Sequence, residues 1–286
     1  MKVLLTGANG RTGRPIIAAL ANKGIDVRAF VRSDEHKDTL KAIGASELAI
    51  GDMTDQESIS KAVSGCDKII HIGPPMHPDE TQITQYFIDA ALKHGIKHFV
   101  YYSVMHPLRR EVRHHKLKLD AEENLIESGL PYTIIQPSRY MQHLEAIWKP
   151  VTEEGIHTMP FSTSKKFSVV DLLDLAEATA IAAASDDHLY ATYELVGPEP
   201  LSQEDMAEQL SSVLGRKVTA KAIPFDDLEA GARAKGFSED RIGQMLIMNK
   251  HYDAHGFIGN PNVLTMILGR RPNTYQSYIT RLANAD

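Results

Sequence analysis

The chain has 286 residues, 43% of them hydrophobic and 24% charged, with 31 Lys+Arg against 37 Asp+Glu and a single cysteine. Such a length buries a real core in one large domain or two modest ones, and the near-average composition excludes a disordered, collagenous or coiled-coil chain. The lone Cys66 excludes a disulfide framework and a cysteine-rich zinc module, and a net charge of −6 exerts no global pull on nucleic acid or an anionic membrane. The apolar start ends at Thr6, too short for a signal peptide, and no stretch reaches membrane-spanning length. A soluble, cytoplasmic protein is expected.

Extended and helical patterns alternate through the first half. Residues 3–5 read as a short buried strand and 16–21 as the helix after it. Further strands are predicted over 27–31, 47–50, 68–72, 98–103 and 132–135, with helices notably over 80–94 and 115–128. Strands separated by such helices need crossovers. The expected fold is therefore α/β, a doubly wound parallel Rossmann sheet with helices on both faces. Beyond Pro137 the rhythm loosens, and 138–165 looks irregular. A helix is predicted over 170–184, introduced by Ser168-Val169-Val170-Asp171. Residues 191–196 read as a strand, and 203–214 as a helix between an Ser202 N-cap and Gly215. With no repeat or low-complexity linker, 1–286 reads as a single domain. Its dinucleotide-binding core spans 1–150, and 151–286 forms mainly a smaller C-terminal substrate lobe with some segments returning to the core.

The sharpest motif is Thr6-Gly7-Ala8-Asn9-Gly10-Arg11-Thr12-Gly13, directly after the first strand and opening the first helix. A glycine-rich turn there lets backbone N–H groups approach a pyrophosphate, and the helix adds its positive end. The cofactor-binding candidates in it are Gly7, Asn9, Gly10, Arg11, Thr12 and Gly13. At the end of the second strand an acid would hold a ribose hydroxyl, whereas an arginine favours a 2′-phosphate. Arg32 takes that place, with Ser33 beside it, which selects NADP(H) over NAD(H). The other reading leaves Arg32 as a solvated charge and gives the ribose to Asp34. Asp52 and Met53 end the third strand and can frame an adenine. Gly73-Pro74-Pro75 ends the fourth, where a rigid turn can lie along the cofactor.

Together these residues resemble an atypical short-chain dehydrogenase/reductase of the NmrA-like branch. The second half continues the likeness in Leu130-Pro131-Tyr132-Thr133-Ile134-Ile135-Gln136-Pro137, in Phe167-Ser168-Val169-Val170-Asp171, in Tyr193-Glu194-Leu195-Val196-Gly197-Pro198 and in Leu268-Gly269-Arg270-Arg271-Pro272. The resemblance implies an NAD(P)-binding Rossmann fold. It also implies either a reductase of quinones, dyes and ketone- or enone-type substrates or a nucleotide-sensing regulator that catalyses nothing.

Short-chain reductases carry Tyr-x-x-x-Lys on a helix and a serine on the preceding strand, so that i and i+4 share one face over the nicotinamide. The resemblance puts Lys118 in the lysine place, His114 in the tyrosine place and Ser103 in the serine place. The missing tyrosine is a departure. Histidine can donate a proton near neutral pH, so His114 is a replacement, and Tyr140 is a second candidate that should also reach the nicotinamide. A solvent proton is the alternative, with His114 then an ordinary first-turn residue. The run 109–116 is the chain's densest basic stretch, either a solvated loop or a steering patch; without aromatic interleaving it does not suggest nucleic acid. Residues 225–260 are predicted as helices in which Met245, Met248, Tyr252 and Phe257 line a substrate pocket or, equally, fill the core.

The leading expectation is an NADPH-dependent reductase passing hydride to a small aromatic or conjugated carbonyl or quinone-like substrate. Its rival is a non-catalytic NADP(H) sensor acting through a protein partner. No metal, nucleic acid or membrane is expected, and a homodimer is an admissible assembly. Cys66 reads as a buried structural thiol.

Overall fold

Apolar runs without period-two alternation, such as Lys68-Ile69-Ile70-His71-Ile72, become strands enclosed on both faces, as parallel sheets require. The computed structural model describes residues 1–285. Its elements begin β1 (Lys2–Leu5), α1 (Gly13–Asn22), β2 (Asp26–Val31), α2 (Lys37–Ala42), β3 (Ala45–Ile50) and α3 (Gln56–Val63). They continue β4 (Lys68–Ile72), α4 (Glu80–His94), β5 (His98–Tyr102), α5 (Arg113–Glu127), β6 (Tyr132–Pro137) and β7 (Arg139–Tyr140). A 3-10 segment (Met141–Ile147) and a π-turn (Pro150–Glu154) precede β8 (Ile156–Met159), β9 (Phe167–Val170), α6 (Leu172–Ala184) and β10 (Ala191–Leu195). The chain ends through β11 (Pro200–Leu201), α7 (Gln203–Leu214), β12 (Thr219–Ala222), α8 (Phe225–Ala234), α9 (Glu239–His255), α10 (Asn262–Leu268) and α11 (Tyr275–Asn284).

Two compact units emerge. The first comprises Met1–Leu108, His115–Pro137 and Leu173–Glu194. It carries a seven-stranded sheet in the order β10-β6-β5-β4-β1-β2-β3. The six strands from β6 to β3 pair in parallel, the doubly wound architecture the alternating pattern implies. Leu4, Ile69, Phe99 and Ile134 from the sheet meet Ile83, Phe87, Ala121 and Leu125 from α4 and α5 in one buried cluster. Cys66 belongs to it, and burial pushes its thiol pKa up. Helix ends follow local chemistry. Asp55 caps α3 by accepting from the Glu57 and Ser58 amides, and Gly95 ends α4 in the left-handed region.

The second unit comprises Arg109–His114, Ser138–Leu172 and the chain from Leu195 on. Here β9 pairs parallel with β7 and antiparallel with β11, while β8 pairs parallel with β12. Ser202 and Asp205 close a reciprocal capping box on α7, and Gly215 ends it, as the sequence pattern indicates.

Two expectations need correction. Val169 and Val170 do not begin a helix: Phe167–Val170 is a strand, as suits an aromatic and β-branched run, and α6 starts at Leu172. The buried Asp171 holds the corner between them. It accepts hydrogen bonds from Gln142 (2.7 Å), Asn273 (3.0 Å) and Arg281. Nor is 138–165 simply irregular, since β7 and β8 lie within it.

Candidate functional site

The glycine turn leaves β1 with its first residue anchored. Thr6 donates its hydroxyl to the Ile72 carbonyl (3.0 Å) and accepts from the Ile72 amide (2.8 Å), tying the turn to the end of β4. Gly7 has φ +60°, which favours a residue without Cβ. At Gly13 a Cβ would stand 2.3 Å from the Gly7 carbonyl oxygen, so only glycine lets α1 begin against the turn. The Gly10 amide closes the turn on the Gly7 carbonyl (2.9 Å). Arg14 braces it from α1, donating to the backbone and side-chain oxygens of Asn9. Asn9 is thus engaged in shaping the turn, while Arg11 is exposed.

The start of α1 suits an anion. Thr12 makes no side-chain cap, and the first turn contains no acidic residue. No acid of its own first turn therefore answers the positive end of the helix dipole, while the Arg14 amide turns back onto the Gly10 carbonyl (3.1 Å).

Arg32 is exposed just beyond β2. Asp52, just beyond β3, accepts from the Thr54 amide and hydroxyl, each at 2.8 Å. Those bonds hold its carboxyl below the usual range, and the charges of Arg32 and His77 add to the effect, so the three groups share one neighbourhood. Met53 is half-buried against the apolar cluster. After β4, Gly73, Pro74 and Pro75 enter a turn closed by the His77 amide on the Pro74 carbonyl (3.3 Å), with Met76 at φ +57°. Gly73 has no room for a side chain: a Cβ would lie 2.9 Å from Glu80 Oε1.

Lys118 lies on α5 with its Nζ 2.5 Å from Glu80 Oε1 and 2.9 Å from the Tyr102 carbonyl, and it stands over the Tyr101 ring at 5.3 Å. His71 borders this cluster, 3.1 Å from the Thr6 hydroxyl and 3.3 Å from that of Thr84. Burial first, and then the Lys118 charge, pushes its pKa down to about 3. Ser103, buried just beyond β5, faces Glu122. Burial raises the Glu122 pKa, while Ser103, Gln136 and Lys118 oppose the rise. Gln136 donates to both Glu122 oxygens at 3.0 Å.

The remaining predicted residues belong to the second unit. His114 is half-buried in the first turn of α5, and Tyr140 is half-buried with its ring stacked on His143 at 5.5 Å. Met245 and Met248 are half-buried on α9. Tyr252 is buried, 4.8 Å from Phe257 and 6.5 Å from Phe167 between ring centres, and burial pushes its hydroxyl pKa well up.

The basic run 109–116 is not a uniform solvated patch. Arg109 packs over the Phe257 ring, Arg113 pairs with Asp240 at 2.7 Å, and Lys116 pairs with Asp120 on its own helix. His115 is buried and donates from Nδ1 to the carbonyl of His106, a residue at φ +55°. Arg109, Arg113 and Lys116 thus meet partners in their own fold, while Arg110 is exposed.

Glu80 and Glu122 escaped the sequence reading. An acid in the first turn of a helix ordinarily serves the dipole from the surface, so nothing in Asp79-Glu80 marks one side chain as buried. The spacing Lys118-x-x-x-Glu122 was the available signal for the second, since i and i+4 share a helix face. Among the described residues, no three His, Cys, Asp or Glu side chains gather as metal ligands, and no helix is long and apolar enough to cross a membrane.

Known proteins are similar to this chain in sequence and in fold. The chain is 26% identical over 277 residues to an NAD(P)H azoreductase of Xenophilus azovorans, covering 96% of each chain. It is 26% identical over 236 residues to a (4-alkanoyl-5-oxo-2,5-dihydrofuran-3-yl)methyl phosphate reductase of Streptomyces griseus, covering 82% and 81%. In structure it is similar to an NADPH-dependent quinone oxidoreductase of Escherichia coli, solved with NADPH. That match has a TM-score of 0.86 at 22% identity and covers 99% of this chain and 100% of the other. Residues 1–267 match the NmrA-like family, and the chain belongs to it.

Proposed function

We propose that this protein is an NADPH-dependent reductase of small conjugated acceptors such as quinones, enones or azo compounds. One observation carries the reading: a glycine turn fused to an α1 start with no acid in its first turn, together with an exposed arginine just beyond β2. The fit to a dinucleotide is chemical. Amides of the turn and the helix end receive the pyrophosphate, and the planar Arg32 guanidinium suits a 2′-phosphate. The named activities of the azoreductase, the phosphate-ester reductase and the quinone oxidoreductase support the same class.

When bound, the reduced nicotinamide supplies the hydride. Lys118 positions the ribose end: an ammonium has three donors, two of them engaged by Glu80 and Tyr102, and the third serves a sugar hydroxyl. Glu80 holds that ammonium in place. Ser103 orients an acceptor oxygen. The proton that follows comes from His114 or from solvent, since a quinone or azo acceptor does not require a dedicated acid.

Following NADPH absorbance against a panel of quinones, enones, ketones and azo dyes tests the reading. Turnover of at least one acceptor is expected, with NADPH preferred to NADH. Tight NADPH binding with no turnover on any acceptor would replace it with the non-catalytic sensor.

A further inference from the structure

Asn9-Gly10 is the only Asn-Gly step in the chain, and it lies in the glycine turn between β1 and α1. Such a step carries a chemistry of its own, part of what makes asparagine a thermolabile residue. The backbone nitrogen of the following residue attacks the asparagine side-chain carbonyl carbon, and glycine there has no Cβ to obstruct the approach. A bond forms between Gly10 N and Asn9 Cγ, and the bond from Cγ to Nδ2 breaks. The side-chain nitrogen leaves as ammonia, taking with it the proton of the Gly10 amide. Water then opens the succinimide ring to aspartate or, with the main chain rerouted through the side chain, to isoaspartate.

The fold restrains both reacting groups without removing them from solvent. Gly10 is exposed and Asn9 is half-buried. The attack needs the Gly10 amide proton removed, and that proton is engaged on the Gly7 carbonyl at 2.9 Å. Arg14 holds the other partner. Its Nη2 donates to Asn9 Oδ1 at 2.7 Å, and its Nε donates to Oδ1 at 3.2 Å and to the Asn9 carbonyl at 3.1 Å. A planar guanidinium on both oxygens of one residue fixes the side chain against its own backbone, which opposes the rotation that ring closure requires.

The turn has no slack for the product. A Cβ at Gly13 would stand 2.3 Å from the Gly7 carbonyl oxygen, and one at Gly10 would stand 3.1 Å from the same atom. Isoaspartate adds a carbon to the main chain in that place, and a carboxylate where an anion would approach the start of α1. All of these groups belong to the first compact unit.

We propose that Asn9 is a spontaneous deamidation site, restrained by Arg14, whose conversion to isoaspartate disables the turn as an anion site. Only the consequence for the cofactor rests on the dinucleotide reading. The conversion can be followed without any ligand.

The experiment holds the native protein, Arg14→Gln and Arg14→Lys at mildly alkaline pH, with the native chain unfolded in urea as the reference. Peptide mass mapping and enzymatic isoaspartyl methylation follow position 9. Ion exchange separates converted from intact protein, and NADPH affinity is measured on each fraction. Conversion is expected to be measurable in the folded native protein and about three- to tenfold faster in Arg14→Gln, the scale of a lost hydrogen bond. The converted fraction should bind NADPH at least about tenfold more weakly. No change at Asn9 in the folded protein over a period that converts the unfolded chain would overturn the site. A rate in Arg14→Gln equal to the native one or below it would overturn the restraint. Should that variant fail to fold, Arg14→Lys, which keeps the charge and lacks the planar fork, carries the same comparison. Equal NADPH affinity of the two fractions would overturn the loss of the anion site. Should the intact fraction not bind NADPH, the dinucleotide reading fails, while mass mapping still decides the modification.

Discussion

The ammonium of Lys118 and the carboxylate of Glu80 lie 2.5 Å apart with side-chain exposures of 9% and 0%. A pair so enclosed is far more costly to break than to remove whole, because the surviving partner is left charged and unanswered. Lys118→Met should therefore destabilise the fold by about 3–5 kcal/mol and cut turnover sharply. Adding Glu80→Gln should restore much of the stability while leaving turnover low. Urea unfolding of the two variants, read beside their NADPH oxidation rates, separates the roles. Activity returning in the double variant would show that Lys118 serves only the fold.

Arg32 should decide between the two dinucleotides. Arg32→Ala is expected to weaken NADPH about tenfold to a hundredfold and to leave NADH nearly unaffected, since only the former carries a 2′-phosphate. Titration by fluorescence quenching at two salt concentrations measures it. Because Arg32 is exposed, the NADPH preference should also narrow as salt rises. Equal affinity of the native protein for the two cofactors would remove this assignment.

Replacement of His114 should have a graded outcome. His114→Ala should slow reduction of ketones by about a hundredfold, the usual scale of general acid catalysis, while quinones should be far less affected. A variant with native rates on every acceptor would remove His114 from the chemistry.

Three buried imidazoles make stability fall on acidification. His71 has its pKa pushed to about 3, and His98 and His157 to about 4, all chiefly by burial. The unfolded chain takes up protons on these side chains below their ordinary value of 6.5, whereas the folded one does not until near 4 for His98 and His157 and near 3 for His71. Their contribution is thus complete above 6.5 and declines as pH falls to about 4 for His98 and His157 and to about 3 for His71, by about 1.4 kcal/mol per pH unit for each. Urea midpoints measured across that window should drop accordingly. His98→Asn should flatten the slope, and an unaltered slope would contradict the account.

What the sequence disclosed follows its local physics. The strand at 68–72 and the helices at 80–94 and 203–214 were legible because burial, capping and a terminal glycine agree within each segment. At 167–170 the cues conflict, for Val169 and Val170 run straight into an alanine-rich helix, and only pairing with β7 and β11 decides for a strand. The glycine turn was legible because its chemistry is contiguous. Glu80 and Lys118 stand 38 positions apart, so their association exists only once the chain has folded.

The uncapped opening of α1 reaches beyond recognition. No side chain caps that opening and no acid stands in its first turn, and an anion that settles there binds the folded state alone. At a hundredfold excess over its dissociation constant, such a ligand adds about 2.7 kcal/mol, a considerable part of the stability of a typical domain. Cellular proteases act on the minor unfolded population, so a bound dinucleotide should lengthen the lifetime of this protein. A cell depleted of that pool would lose the enzyme along with its fuel.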